Sequence, residues 1–105
     1  HAVRIDRVDT VADGLGAPMA GALNYEILSA HAQGIVLVED PEIVCAMTML
    51  LERTKLLAEP SGAAGLAALL EGKIDFDRTR PVVIVISGGN ADLAQLARLI
   101  QGQAR

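Results

Sequence analysis

The fold expected for this 105-residue chain is decided by residues 81–90, which read PVVIVISGGN. Residues 82–86 are five consecutive β-branched aliphatic residues without polar alternation, a pattern typical of a central parallel strand buried on both faces. Two glycines and an asparagine then end the run abruptly and permit a sharp turn. In open α/β sheets, ligands bind beyond the carboxyl ends of the strands, near helix N-termini. Residues 87–90 are therefore a candidate ligand turn, and the alternative is a plain strand-to-helix turn with Asn90 as the N-cap.

The chain before this stretch alternates helical and strand-like patterns. A weak strand pattern at residues 3–8 is followed by a loop at about 12–17, and Pro18 suits the first turn of a helix over residues 19–32. Residues 35–38 then form a short apolar run typical of a buried strand. The sequence Asp40-Pro41-Glu42 predicts a helix start, with Asp40 able to cap free N–H groups.

Two more helices complete the pattern. Pro60 restarts the chain, and Gly62 and Gly65 in the following helix predict a backbone that comes close to something, since glycine otherwise weakens a helix. Gly72 ends that helix, and the last amphipathic helix follows residues 87–90. The order predicts an α/β layered fragment with parallel strands flanked by helices.

The apolar composition is unusual for a domain that folds alone. Hydrophobic residues make up 51% of the chain but aromatic residues only 2%, namely Tyr25 and Phe76. Small aliphatic side chains suit helices packed closely on a sheet, yet a chain this short cannot cover both faces of a sheet well. We therefore expect apolar surface that a partner, a second copy in a homo-oligomer or another part of the same protein covers.

Charge and residue content exclude several classes of function. The formal net charge of −4 leaves no basic stripe to neutralise phosphates, which argues against nucleic acid as a partner. No apolar stretch approaches the length that spans a bilayer, and no His/Cys cluster has the spacing of metal ligands. Cys45 is the single cysteine and is expected to be a small core residue of a reduced, cytoplasmic protein. His31 is expected at a helix C-terminus rather than in a catalytic role.

Four short motifs occur in order along the chain: Ala12-Asp13-Gly14-Leu15, Glu52-Arg53-Thr54-Lys55, Glu59-Pro60-Ser61-Gly62-Ala63 and Ser87-Gly88-Gly89-Asn90. Together they resemble the threonine/serine dehydratases (threonine ammonia-lyases) and serine racemases, which are fold-type-II pyridoxal-phosphate enzymes. The resemblance runs from about Thr10 to Leu99. It implies that residues 1–105 are a single domain, the C-terminal part of the catalytic domain of such an enzyme.

The resemblance implies roles for individual residues. Ser87 matches the serine that hydrogen-bonds the pyridine nitrogen of pyridoxal phosphate, and a neutral hydroxyl there suits β-elimination over transamination. Gly14 matches the glycine whose backbone packs against the cofactor ring. Glu59 matches a glutamate near the ring edge, with a helix-start carboxylate as its alternative reading. The remaining cofactor-binding candidates shape the turn: Gly88, Gly89 and Asn90.

The resemblance also identifies what these residues do not contain. The Schiff-base lysine motif of the family, its glycine-rich phosphate loop and its acidic metal ligands have no match here. Lys55 and Lys73 are expected to be exposed and are not replacements for that lysine. Without it there is neither a covalent anchor nor the usual base, so the chain is not expected to be an active enzyme alone.

Two functions from different classes therefore remain. The first is a fragment of a dehydratase that converts an amino-acid substrate, threonine or serine, to a 2-oxo acid and ammonia. The second is a non-catalytic, stand-alone remnant that self-associates as an interaction module and binds no pyridoxal phosphate.

Overall fold

The structure is a computed structural model that describes residues 3–103. Within that range it contains one short 3-10 turn and four α-helices. The elements follow the chain as the 3-10 turn Asp13–Leu15, α1 Ala22–His31, α2 Asp40–Thr54, α3 Pro60–Leu70 and α4 Leu93–Gln103.

The start of α2 is fixed by a capping box. The Glu39 side chain accepts from the backbone of Glu42, and Glu42 Oε2 accepts from the Glu39 N–H at 2.7 Å. Pro41 occupies the first turn, where the helix requires no backbone N–H. The predicted helix start is thus confirmed, but the cap is Glu39 and not Asp40. Lys55 ends the helix in the left-handed region at φ 63°.

Helix α3 begins and ends where its sequence predicts. Pro60 opens the helix, and Gly72, at φ +65°, ends it. The Gly72 N–H donates to the Leu69 carbonyl at 3.1 Å and the Lys73 N–H to the Ala68 carbonyl at 3.0 Å, which is the Schellman arrangement. Glycine is favoured at this position because the left-handed conformation penalises a β-carbon.

The core lies between α2 and α3, with α4 packed against α2 and the 3-10 turn against α3. Most of its side chains are small, so the helices approach closely but bury little area per residue. Ile43 is the largest fully buried side chain. The core cluster consists of Ala12, Ile43, Ala46, Met47, Leu50, Ala58, Ala63, Ala67 and Leu96.

The predicted strands are not formed among residues 3–103. The segments 3–8, 35–38 and 82–86 have no strand pairing, and residues 82–86 are not buried on both faces. Instead Ile84 and Ile86 are half-buried, whereas Val83 is 86% exposed and Val85 also faces solvent. A strand forms only when neighbouring chain accepts and donates its backbone hydrogen bonds. The layered parallel strands of the α/β prediction are therefore not confirmed among residues 3–103.

The molecule exposes more surface than a compact domain of its mass. A self-contained protein of 11.0 kDa exposes about 5,600 Å², whereas this chain exposes 8180 Å². Its radius of gyration is 14.9 Å, against about 13 Å for a compact domain of this length. It is flat, with extents of 41 × 41 × 22 Å. These dimensions support the expectation that apolar surface is left for another part or partner to cover.

Two further sequence predictions need correction. Helix α1 begins at Ala22 rather than near residue 19, because Gly21 is extended, and Pro18 therefore lies outside its first turn. Every residue of α1 is exposed, and the helix packs against none of the other described helices. Cys45 is exposed and not a core residue, because the buried face of α2 is formed by its neighbours. His31 lies in the last turn of α1, as predicted.

The acid stability of the chain is expected to depend on the pair formed by Glu42 and Lys73. Lys73 Nζ donates to Glu42 Oε2 at 2.6 Å and to the Leu37 carbonyl at 3.1 Å. The hydrogen bond from Lys73, and then the one from the Glu39 N–H, lower the pKa of Glu42. The stability that this pair contributes is complete above the pKa of the unfolded chain, and it is lost as the pH falls through the lower folded-state pKa.

Glu42→Gln is accordingly expected to flatten the acid-side loss of stability, measured as the thermal midpoint against pH. Lys73→Met should flatten it as well, because it removes the cation that lowers the Glu42 pKa. Retention of the full acid-side slope in both variants would show that other carboxylates control it.

Candidate functional site

The N-terminal end of α3 lies directly against the turn formed by residues 87–90, here named the Ser87 turn. An ideal β-carbon on Gly62 would lie 2.8 Å from the Gly88 carbonyl oxygen and 3.1 Å from the Gly88 nitrogen. Backbone atoms cannot yield as a flexible side chain can, so only glycine permits this approach. The sequence prediction that Gly62 marks a close backbone contact is confirmed.

Glu59 holds the same turn through its backbone and its side chain. Its N–H donates to the Gly88 carbonyl at 3.0 Å, and a β-carbon on Gly88 would collide with Glu59 Oε1. The residue is also the N-cap of α3, but its side chain makes no capping hydrogen bond. The alternative reading of Glu59 as a helix-start carboxylate therefore describes its position but not its contacts. Gly89 comes equally close to the chain before α3, with a β-carbon position 2.6 Å from the Leu57 carbonyl oxygen.

The 3-10 turn Asp13–Leu15, here named the Gly14 turn, packs against α3 at Ser61, the residue before Gly62. An ideal β-carbon on Gly14 would lie 2.7 Å from Ser61 Oγ and 3.1 Å from Ser61 Cβ. Ser61 Oγ is buried and has no hydrogen-bond partner within residues 3–103. Ser61 belongs to one of the four sequence motifs, but it is not among the predicted site residues. Its signal was position, because it directly precedes the glycine that touches the Ser87 turn.

Asp40 holds the approach to the Gly14 turn from the other side. The Thr10 hydroxyl donates to Asp40 Oδ1 at 2.5 Å, and the Val11 N–H donates to Asp40 Oδ2 at 3.0 Å. Thr10 Oγ1 also accepts from the Ala12 N–H at 3.1 Å, and Ala12 is only 1% exposed. Asp40 was predicted as a helix cap, and no sequence pattern indicated its contact with residues about 30 positions earlier. It fixes the backbone that enters the Gly14 turn.

The remaining predicted residues lie at the outer side of this cluster. Ser87 and Asn90 are exposed. Asn90 does not cap α4, because Asp92 Oδ1 accepts from the Gln95 N–H at 2.7 Å and takes that role. The structure therefore brings Gly14, Glu59 and the Ser87 turn together around the first turn of α3.

The two lysines considered at the sequence level have other contacts. Lys55 Nζ donates to the Glu52 carbonyl at 2.8 Å, while Lys73 pairs with Glu42. Across residues 3–103 no group of three or more His, Cys, Asp or Glu side chains could hold a metal ion. Within that same range, no helix has both the length and the apolar character needed to cross a membrane.

Comparison with known proteins identifies the origin of this arrangement. A family model described as pyridoxal-phosphate dependent enzyme matches residues 1–88. The chain belongs to this family. The motif resemblance seen in the sequence is thereby confirmed, and relatives of this pyridoxal-phosphate-dependent family include both threonine dehydratases and serine racemases.

Two relatives illustrate the similarity. The catabolic L-threonine dehydratase of Escherichia coli strain K12 is 42% identical over 91 residues, which cover 86% of this chain and 28% of the relative. The serine racemase of Dictyostelium discoideum is 39% identical over 93 residues, covering 88% of this chain and 28% of the relative. The chain thus spans less than a third of the length of these family members.

A solved structure shows the same family relation in three dimensions. Maize serine racemase superimposes with a TM-score of 0.78 at 35% identity, over 97% of this chain and 32% of that chain. The path of the backbone thus follows a fold-type-II enzyme even though no strand forms among the described residues. About two thirds of the neighbour has no counterpart in this chain.

Proposed function

We propose that these residues are the C-terminal part of the catalytic domain of a threonine/serine dehydratase and supply the ring-nitrogen end of its pyridoxal-phosphate site. The observation that supports this most is the convergence of the Gly14 turn, Glu59 and the Ser87 turn on the first turn of α3. Three motifs distant in sequence meet there through contacts that only glycine permits. Such close backbone approach is typical of ligand-binding turns at helix N-termini.

The residues present fit one end of the cofactor. Ser87 is the first residue of the turn and is exposed. Its hydroxyl can donate to the ring nitrogen or accept from it without holding a proton there. Gly14, which has no side chain, would let the backbone lie against the ring, and Glu59 would flank the ring edge. Gly88, Gly89 and Asn90 would shape the turn that presents Ser87.

The proposed reaction is a β-elimination that converts a hydroxy amino acid to a 2-oxo acid and ammonia. When bound, pyridoxal phosphate supplies the electron withdrawal that makes the Cα proton of the amino acid removable. The present residues would bind and orient the ring, while the lysine motif and the phosphate loop would come from another part of the polypeptide. The relatives that carry the name threonine dehydratase, and the fraction of them that this chain spans, support this division.

A second candidate is a non-catalytic remnant that self-associates. It is favoured by one observation, the large exposed apolar surface that includes Ile35 and Val83. A standard protein interface buries about 1,200–2,000 Å² summed over both partners, and the surface of this single chain in excess of a compact domain, about 2,600 Å², is larger than that. In the dehydratase proposal, other parts of the enzyme and its homo-oligomer cover this surface instead.

The two candidates differ in pyridoxal-phosphate binding and ammonia release. The polypeptide encoded by the complete reading frame around these residues is expected to be yellow, to retain pyridoxal phosphate through gel filtration and to release ammonia from threonine or serine. The 105-residue chain alone is expected to be colourless and inactive. In the complete protein, Ser87→Ala should lower turnover about tenfold, since one hydrogen bond contributes about 1 kcal/mol or somewhat more.

The outcomes separate the proposals clearly. Ammonia release by the 105-residue chain alone would overturn the division of the site. A colourless complete polypeptide that sediments as a dimer would establish the self-associating remnant. Gly102→Ala, whose β-carbon meets nothing within 4 Å, serves as the control that should leave pyridoxal-phosphate binding unchanged.

A further inference from the structure

We infer that Ser61 is a positioning residue that sets how closely the Gly14 turn approaches the Ser87 turn. This inference rests on the proposal that both turns face the cofactor. It concerns a residue to which neither the motif resemblance nor the family match assigns a role.

Ser61 and Gly14 are in direct contact. The Ser61 side chain occupies the space that a β-carbon on Gly14 would need, at 2.7 Å from Oγ and 3.1 Å from Cβ. The glycine at position 14 is therefore required by Ser61 whether or not a ligand is bound. The size of the side chain at position 61 determines how near this turn can come to α3.

The backbone that enters the Gly14 turn is held in place independently of Ser61. Asp40 holds Thr10 and Val11 by two hydrogen bonds, and Ala12 is buried in the core. The backbone just before Gly14 is therefore fixed by α2 and by the core. With the entering backbone held in this way, the Ser61 side chain limits how closely Gly14 can approach α3.

Helix α3 also contacts the Ser87 turn and so connects the two turns. Gly62, the next residue of α3, touches the backbone of Gly88, and the Glu59 N–H donates to the Gly88 carbonyl. Neighbouring residues of a single helical turn thus contact both turns. The separation between Gly14 and Ser87 is consequently set by α3, with Ser61 as the spacer on one side and Gly62 on the other.

The polar character of Ser61 points the same way. Its hydroxyl is buried and forms no hydrogen bond within residues 3–103, which is unfavourable for a group that only fills space. Alanine would fill nearly the same volume without that cost. Groups that break a stability rule in this manner are characteristic of functional sites.

A double-mutant cycle between positions 14 and 61 tests the inference in the complete, pyridoxal-phosphate-loaded polypeptide. Gly14→Ala alone is expected to weaken pyridoxal-phosphate retention by about tenfold or more, because its β-carbon displaces the turn from Ser61 and misplacement near 1 Å can have effects of that size. In the Ser61→Gly background the same substitution should have little effect. Ser61→Ala should rescue to an intermediate extent, since it removes the 2.7 Å contact and keeps the one at 3.1 Å.

The visible absorbance spectrum and the pyridoxal-phosphate titration are the readouts that a merely structural role would not move. If Gly14→Ala loses retention equally in all three backgrounds, its β-carbon strikes the cofactor directly and the inference is wrong. The same cycle in the 105-residue chain, read by thermal unfolding, reports the Ser61–Gly14 contact without the cofactor. Coupling there, combined with no retention by the unmutated complete polypeptide, would contradict the proposed function and leave the contact itself established.

Discussion

Gly62→Ala is expected to separate α3 from the Ser87 turn and to abolish pyridoxal-phosphate retention in the complete polypeptide. The added β-carbon would lie 2.8 Å from the Gly88 carbonyl oxygen, where backbone atoms must move to make room. The hydrogen bond from the Glu59 N–H to the same carbonyl would stretch with that movement. Overpacking of this kind lowers the free energy of unfolding by about 1–3 kcal/mol, more than the helix propensity of alanine returns.

Gly102→Ala is the matched control, because it is the same substitution within a helix. A β-carbon on Gly102 meets nothing within 4 Å, so this variant should gain up to about 1 kcal/mol from helix propensity. Thermal unfolding should therefore place the two variants on opposite sides of the unmutated protein, whereas gel filtration with pyridoxal phosphate should show lost retention in Gly62→Ala and unchanged retention in Gly102→Ala. A Gly62→Ala variant with unchanged midpoint and unchanged retention would show that the helix and the turn are not packed as described.

The position of Gly62 also illustrates how far the sequence leads toward the site. Glycine within a helix is costly, so its presence predicted a close backbone contact, and the structure confirms that contact. The sequence did not identify Gly88 as the partner, since the 25 residues between Gly62 and Gly88 carry no information about the distance between them. Asp40 was equally beyond prediction, because its contact with Thr10 depends on how α2 and the Gly14 turn meet.

The secondary structure could be predicted from the sequence only where it depends on local residues. Helix starts at Asp40 and Pro60 were predicted correctly because capping and proline geometry are local properties. The strand predicted at residues 82–86 is not confirmed, because a strand forms only with neighbouring strands to pair with. The β-branched pattern predicts a strand buried on both faces, whereas the structure leaves Val83 and Val85 exposed. Local signals such as helix starts are therefore confirmed by the structure, and signals that rely on strand pairing are not.

Ile43→Ala is expected to produce the largest loss of stability in the 105-residue chain. Ile43 is 2% exposed and is the largest fully buried side chain in a core made mostly of alanine. Removing it leaves a cavity that small, helix-bound neighbours cannot fill, which lowers the free energy of unfolding by about 2–4 kcal/mol. For a chain of this size the thermal midpoint should fall by at least about 10 °C. Differential scanning calorimetry or circular dichroism measures the change directly.

Ile35→Ala supplies a control of identical chemistry. Ile35 is 87% exposed, so its truncation should change the stability of the 105-residue chain by less than about 0.5 kcal/mol. In the complete polypeptide the expectation reverses, because the segment at residues 35–38 should be covered there and Ile35→Ala should become destabilising by about 1 kcal/mol or more. A variant that stays neutral in both contexts would show that residues 35–38 are not buried in the complete polypeptide. The difference in stability change between the two contexts thus measures, at a single side chain, how far the apolar surface exposed by the 105-residue chain becomes buried in the complete polypeptide.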